Sequence, residues 1–94
     1  MTKITDETDL WDAMLLLDTR EEVINFMKDL CTPREITELY ERWKVCQLLE
    51  SGQLSYREIS TKTKISITTI GRVARFLRDE QNGGYRTILK KLKK

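Results

Sequence analysis

The sequence contains no histidine, and it has only one proline and four glycines among its 94 residues. Histidine is a common general acid or base and a frequent zinc ligand, so its absence argues against most zinc sites and acid–base active sites. No nucleophile, base and orienting residue stand at a plausible catalytic spacing, and we therefore expect the protein not to be an enzyme. The scarcity of proline and glycine leaves long segments free to form helices.

Cysteine is also scarce, and long apolar segments are absent. Cys31 and Cys46 form no CxxC pair and lie among apolar neighbours of predicted helices, which favours buried free thiols over a disulfide or a metal site. No apolar run approaches the roughly 20 residues of a transmembrane helix, and the acidic N-terminus lacks the apolar core of a signal peptide. We expect a cytoplasmic protein with neither a metal nor a cofactor.

Charge is present in both signs but is divided unevenly along the chain. Residues 1–31 carry a net charge of −5 and residues 32–54 a net charge of −1. Residues 55–94 contain eleven Lys and Arg against three Asp and Glu, a net charge of +8. A basic half of this kind indicates a polyanionic partner. A solvated lysine tail is the alternative, although residues 55–89 alone still hold seven cations against three acids.

Capping signals and apolar spacing predict an all-α chain of about six helices in a single domain, 1–94. The predicted helices cover residues 6–18, 20–30, 33–50 and 55–62, then a segment after Ser66 that ends before Asn82, and a last segment from about Tyr85. The helix at 33–50 is apolar on several faces, so other helices must surround it. In so short a chain, a second copy is expected to supply part of that cover.

The segment KISITTIGRVARF, residues 64–76, alternates apolar and hydroxyl residues at its start, as a strand would. A strand here would have no partner, because no other segment alternates with period two. A helix capped by Ser66 instead places five apolar residues on one inward face, namely Ile67, Ile70, Val73, Ala74 and Leu77. The sequence therefore predicts a helix with Thr68, Thr69, Arg72 and Arg75 on the outer face.

The two helices on either side of Thr63 have the spacing of a helix-turn-helix. Four apolar residues recur at the expected inward positions, namely Ile59, Ile65, Ile70 and Val73, and the small Ser60 stands where the helices cross. Lys64 occupies the turn position where glycine is usual, and it tolerates a positive φ less well. A helical hairpin that only packs, without binding DNA, is the alternative.

With Thr32-Pro33, Arg42, GQLSYREIS and TTIGR, the chain resembles the Trp repressor family. The resemblance covers about residues 30–94, and it is closer to the Trp-repressor-related bacterial branch than to the tryptophan-sensing repressors. It implies an intertwined helical homodimer whose helix-turn-helix heads bind a palindromic DNA operator. Residues 1–54 would then form the dimerisation helices, 55–80 the helix-turn-helix, and 84–94 a C-terminal helix with a basic tail.

The resemblance also implies an effector site. In tryptophan-sensing members, two arginines that match Arg42 and Arg72 stack on the indole ring, and the equivalent of Thr32 lies beside the ligand. Two neighbours differ, because Val73 replaces a glycine and Phe76 replaces a serine that helps to hold the ligand. We therefore expect Val73 and Phe76 to fill the ligand space, so that tryptophan is not the corepressor. The alternatives are a salt bridge of Arg42 with Glu38 and a phosphate contact of Arg72.

The same resemblance assigns DNA contacts. Ile67, Thr68 and Thr69 would meet base edges, with their methyl groups against thymine methyls. Arg57 would read a guanine or bind phosphate. The full predicted set is Arg57, Lys64, Ser66, Ile67, Thr68, Thr69, Arg72 and Arg75, with Lys62 and Arg78 as further phosphate contacts. A protein-interaction module with no specific DNA binding, and a regulator that retains tryptophan or another effector, are the alternative functions.

Overall fold

The computed structural model describes residues 7–93, and most of them lie in six α-helices. The helices are α1 (Leu10–Leu15), α2 (Arg20–Leu30), α3 (Pro33–Ser51), α4 (Tyr56–Thr63), α5 (Ile67–Arg78) and α6 (Gly84–Leu92). No strand occurs among these described residues, so the alternating segment after Lys64 is helical as predicted. The predicted all-α class with six helices is confirmed.

The first helix is shorter than the sequence pattern suggested. It begins after Asp9, whose carboxylate accepts a hydrogen bond from the Asp12 amide at 2.8 Å, and it ends at Leu15 rather than at Asp18. The next cap explains the early end, because Thr19 accepts from the Glu22 amide and opens α2. The expected start at Asp6 lies outside the described residues.

Two reciprocal capping boxes define the starts of α3 and α4. Thr32 accepts from the Glu35 amide at 3.1 Å while Glu35 accepts from the Thr32 amide at 2.8 Å, and Ser55 and Glu58 exchange the same two bonds. Each box satisfies two amides that the helix start leaves without a partner. The hydrogen bonds from Ser55 also hold the pKa of the Glu58 carboxyl below its usual value.

The chain divides into two compact units, the first up to Ile36 and the second from Thr37 to Lys94. In the first unit, α1 and α2 contain no buried residue. Trp11 is 70% exposed, Leu15 82% and Leu16 73%. Exposed apolar surface of this extent is unusual for a monomeric protein.

The second unit contains the hydrophobic core. Its buried residues come from α3 to α6 and from the α4–α5 turn, and they are Val45, Cys46, Leu49, Ile59, Ile65, Ile70, Val73, Ala74, Leu77 and Leu89. The four predicted inward positions of the helix-turn-helix are all in this core. The expected inward position of Ile67 is wrong, because this residue is the first of α5 and remains 49% exposed. Burial of these side chains fixes which face of α5 points outward.

The turn between α4 and α5 is held by side-chain hydrogen bonds to the backbone. The Ser60 hydroxyl donates to the Ile65 carbonyl at 2.7 Å, and the Thr63 hydroxyl donates to the Ile59 carbonyl at the same distance. Lys64 adopts the left-handed conformation, with φ 67° and ψ 15°. A residue with a side chain pays about 1–2 kcal/mol for this conformation, so the hydrogen bonds around the turn must offset a local strain.

None of the helices in residues 7–93 combines the length and the apolar character that crossing a membrane requires.

Candidate DNA-binding surface and effector cavity

The outward side of α4, the turn and the start of α5 carries the predicted DNA contacts. Arg57, Lys64, Ser66, Ile67 and Thr68 are all exposed, and Ile67 keeps 49% of its surface in contact with solvent. An exposed β-branched residue at a helix start is unusual for packing, but it suits contact with an apolar methyl group on a base. We call this region, together with Thr69, the reading surface.

Thr69 differs from its neighbours on the reading surface. It is half-buried, and its hydroxyl accepts a hydrogen bond from the Ser66 hydroxyl at 3.0 Å. Ser66 in turn accepts from the Thr69 amide at 3.0 Å and caps α5. Thr69 therefore helps to form the start of α5, and Thr68 is the more accessible of the two threonines.

Arg72 and Arg75 lie nearly one turn apart on α5, and both contact the ring of Phe76. The guanidinium carbon of Arg72 is 4.4 Å from the ring centroid, and that of Arg75 is 4.9 Å away. Arg75 also forms an ion pair with Glu80, with 3.5 Å between Nε and Oε2. These four residues form one connected group, which we call the arginine–phenylalanine cluster.

A surface cavity of about 650 Å³ lies between α3, α5 and α6. It is lined by Leu39, Arg42, Trp43, Arg72, Val73, Phe76, Asn82, Gly84, Tyr85 and Ile88. A volume of this size is within the usual range of small-molecule sites, and the lining has the usual mixture of apolar side chains and a few polar groups. The tertiary fold thus brings Arg42 and Arg72 to one cavity, although 30 positions separate them in the sequence.

Val73 and Phe76, the predicted filling residues, both contribute to this cavity. Val73 is 1% exposed and belongs to the hydrophobic core, whereas Phe76 is half-buried in the cavity wall. Open space remains beside them, so displacement of a ligand by these two residues stays a prediction. Thr32 belongs to the other unit, where its hydroxyl caps α3.

The sequence interpretation did not identify the aromatic pair that lines the same cavity. Trp43 and Tyr85 stack with their ring centroids 6.4 Å apart and their planes 25° from parallel. Burial raises the pKa of the Tyr85 hydroxyl, and Cys46 adds to this effect while Arg42 and Arg72 oppose it. Two features of the sequence could have suggested this pair. Trp43 directly follows Arg42, and Tyr85 begins the apolar face of the last helix.

The two cysteines are free thiols. Cys46 is fully buried, and burial together with the nearby Glu50 raises the pKa of its thiol to about 11. Cys31 is half-buried. In residues 7–93, no three His, Cys, Asp or Glu side chains are grouped in a way that would hold a metal ion.

Comparison with protein families gives a match over nearly the whole chain. The family model for Trp repressor proteins matches residues 7–93. The chain belongs to the Trp repressor family. The match begins well before residue 30, so the N-terminal helices are also part of the family domain and not only the segment on which the resemblance was first based.

Individual members of the Trp repressor family support the same assignment. The uncharacterized protein YerC of Bacillus subtilis (strain 168) is 38% identical over 84 residues, which cover 89% of this chain and 79% of YerC. A TrpR-like protein from Eubacterium eligens has a TM-score of 0.81 and 36% identity, with coverage of 89% of this chain and 84% of that one. A proposed Trp repressor from Staphylococcus aureus has a TM-score of 0.80 and 37% identity, with coverage of 89% and 82%.

These relatives confirm the predicted Trp-repressor-related branch. The family is one of transcription regulators and not of enzymes, and this chain is accordingly a DNA-binding regulator in the general sense. The helix-turn-helix formed by α4 and α5 is the part of the chain suited to that activity.

Proposed function

We propose that this protein is a transcriptional repressor that binds a palindromic DNA operator as a homodimer and does not use tryptophan as its corepressor. The observation that carries the proposal is the position of α5. Its apolar face is buried against α4, while its N-terminal residues and the cations around them are exposed. An α-helix presented in this way fits the major groove of duplex DNA.

The exposed residues divide into two roles in this proposal. Ile67, Thr68 and Thr69 stand at the start of α5 and read base edges, with Arg57 beside them on α4. The cations Lys64, Arg72 and Arg75 neutralise phosphates, which supplies affinity and register without sequence information. Ser66 contributes by capping α5, and the capped helix start directs its amides toward the DNA backbone.

The proposal of a dimer rests on the first unit, whose helices α1 and α2 contain no buried residue. Residues 1–54 supply the dimerisation helices, whose exposed apolar side chains would be covered by a second copy. Residues 55–80 then form the DNA-binding head, and residues 84–94 form the C-terminal helix and basic tail. Two heads related by a two-fold axis match a palindromic site.

Independence from tryptophan is proposed from the arginine–phenylalanine cluster. The Arg72 guanidinium, which would stack on an aromatic ligand, already lies over the Phe76 ring at 4.4 Å. Isothermal titration calorimetry with L-tryptophan tests this point, and we expect no heat of binding at micromolar ligand. Micromolar binding would contradict the proposal.

The cavity supports a second candidate, a regulator that retains a small effector. About 650 Å³ of space remains open beside Arg42 and the Trp43–Tyr85 pair. The same calorimetry, extended to other small carboxylates with an apolar body, separates the two candidates. A ligand that binds and changes DNA affinity would establish the second.

The decisive experiment for DNA binding is a gel-shift assay with random-sequence duplex DNA at low and moderate salt. We expect binding that weakens steeply with salt, because each neutralised phosphate releases counterions. A protein-interaction module with solvated basic helices would show no salt-dependent affinity. Selection of bound genomic fragments would then give the operator and its half-site spacing.

Two matched variants separate base reading from phosphate binding. Thr69→Ala is expected to reduce affinity for the selected operator more than affinity for random DNA, whereas Lys62→Gln should weaken both equally and lower the salt slope. Thermal unfolding of each variant controls for the cap that Thr69 shares with Ser66. Equal losses on both DNAs for Thr69→Ala would refute its assignment to base reading.

A further inference from the structure

The arginine–phenylalanine cluster contains two like charges at one aromatic ring. The guanidinium carbons of Arg72 and Arg75 lie 4.4 Å and 4.9 Å from the centroid of the Phe76 ring. Both distances are within the range in which a cation is attracted to the face of a ring. The Glu80 carboxylate, 3.5 Å from Arg75, reduces the repulsion that two adjacent cations would otherwise feel.

The ring is the fixed member of this cluster. Phe76 is half-buried in the cavity wall, and Val73 and Leu77 beside it on α5 are 1% and 4% exposed. Arg72 is exposed, and a long exposed side chain ordinarily samples many rotamers that it must give up when it binds. A ring held in place by the core restricts those rotamers before any ligand arrives, which lowers the cost of binding.

We propose that Phe76 is a positioning residue for DNA binding, an internal aromatic ligand that holds the Arg72 guanidinium ready to contact DNA phosphate. The inference rests on the proposed DNA-binding function and adds to it the reason why the head needs no bound aromatic effector. Phe76 does not itself touch DNA in this scheme. It acts through Arg72, and to a smaller extent through Arg75, whose ion pair with Glu80 already restrains it.

Two variants separate the effect of the aromatic ring from the effect of side-chain size at position 76. Phe76→Leu keeps an apolar group of similar size but removes the aromatic face, whereas Phe76→Tyr keeps the face. With random-sequence duplex DNA, we expect Phe76→Leu to bind about 3- to 10-fold more weakly and Phe76→Tyr to bind like the wild type. In the Arg72→Gln background, Phe76→Leu should cause a much smaller further loss than it causes in the wild type, because the ring acts mainly through Arg72.

Chemical rescue provides a second test. Phe76→Ala removes a phenyl group, and benzene is the free compound that matches it. We expect benzene to restore a large part of the lost DNA affinity, and cyclohexane, which has similar size but no aromatic face, to restore little. Thermal unfolding of the Ala variant with each compound shows whether both occupy the space. Equal rescue by the two compounds would overturn the proposal, because it would show that only packing matters.

NMR spectroscopy of the protein without DNA tests the positioning role separately from the proposed DNA-binding function. In wild-type protein the ring current of Phe76 should shift the NMR signals of the Arg72 side chain, and Phe76→Leu should abolish that shift. If the wild type binds DNA but Phe76→Leu binds equally well, the inference fails and the proposed function stands. If the ring-current shift is present but the wild type shows no salt-dependent DNA binding, the proposed function fails and the positioning role fails with it.

Discussion

At the scale of single residues, the turn of the helix-turn-helix departs most from the usual pattern. Lys64 is the only non-glycine residue with positive φ in residues 7–93. Its amide donates to the Ser60 carbonyl at 2.8 Å, so the backbone conformation is required to close α4. A lysine at this position contributes a cation to the reading surface. We infer that local strain is tolerated here because the charge serves DNA binding.

Lys64→Gly should separate the effect of backbone strain on stability from the effect of the lysine charge on DNA binding. Glycine adopts the left-handed conformation without steric cost, which stabilises the folded state. It also gives the unfolded chain more conformational entropy, which opposes part of this gain. We therefore expect the free energy of unfolding to rise by about 0.5–1 kcal/mol. Affinity for all DNA sequences should fall because a phosphate contact is lost. Urea denaturation and gel-shift assays measure the two quantities.

As a control, Lys62→Gln removes a neighbouring cation without changing the turn and should lower affinity at unchanged stability. A destabilised Lys64→Gly variant would contradict the strain argument.

The Cys46 thiol is expected to be unreactive in the folded protein. Burial raises its pKa from 9.0 to about 11, so in the folded state the thiolate becomes abundant only near the upper value. In unfolded protein the ordinary value applies, and the thiol ionises at lower pH. Because the folded-state pKa is the higher one, the folded state favours the protonated thiol, and stability should fall as the pH rises above 9.0.

Mass spectrometry after brief exposure to iodoacetamide checks this prediction. Native protein near neutral pH should keep an unmodified Cys46, and protein in denaturant should be alkylated there. Cys46→Ala identifies which signal belongs to Cys31. Rapid native alkylation of Cys46 would show that the core of the second unit opens easily.

At the scale of elements, two isoleucines three positions apart on α5 have opposite roles. Ile70 is 0% exposed and packs in the core, whereas Ile67 is 49% exposed on the reading surface. Residues three apart lie on nearly the same face of a helix, so the difference comes from position along α5, because Ile67 is its first residue and Ile70 lies one turn further into the packed part. The same residue type thus contributes to stability at one position and is available for recognition at the other.

The two positions make a matched pair for mutation. Ile70→Ala should lower the free energy of unfolding by about 2–5 kcal/mol through lost burial and a cavity, and Ile67→Ala should change it by no more than about 0.5 kcal/mol. Conversely, Ile67→Ala should reduce affinity for the operator while the protein remains folded. Urea denaturation and a gel-shift assay measure the two effects. A large stability loss for Ile67→Ala would mean that this side chain is covered in solution.

At the scale of the whole molecule, negative and positive charge lie in different parts of the chain. Residues 1–31 carry a net charge of −5 and expose several large apolar side chains, whereas residues 55–94 carry +8. The exposed apolar side chains suit association with another copy, and the positive charge of residues 55–94 suits a polyanion. A dimer would therefore gather acidic and apolar surface in its shared part and present basic heads.

The oligomeric state tests this arrangement. Leu16, on the first unit, is 73% exposed, and we expect Leu16→Glu to shift the protein from dimer toward monomer because a buried unpaired carboxylate is unfavourable. Leu92 on α6 is 61% exposed and provides the control, since Leu92→Glu should leave the dimer intact. Sedimentation velocity measures both. A wild-type protein that sediments as a monomer would refute the proposed dimer.

Local signals in the sequence are enough to predict the helices and the helix-turn-helix. Capping boxes at Thr32 and Ser55 and the period of Ile59, Ile65, Ile70 and Val73 act over a few residues, so they are visible without a structure. Family membership followed from the same local motifs. The end of α1 was placed wrongly, because the cap of the next helix competed with an apolar pattern that could have continued.

Contacts between residues far apart in the sequence are visible only in the folded chain. The cavity joins Arg42 and Trp43 of α3 to Arg72 of α5 and Tyr85 of α6, and no local pattern specifies such contacts, because they depend on how whole helices pack. Phe76 and Arg72 lie about one turn apart on α5, so the helical period alone allows their contact. Only the fold shows that the Phe76 ring stands in the wall of the same cavity as Trp43 and Tyr85. Neighbour identity follows from packing in three dimensions, and packing is not contained in the spacing of residues along one helix.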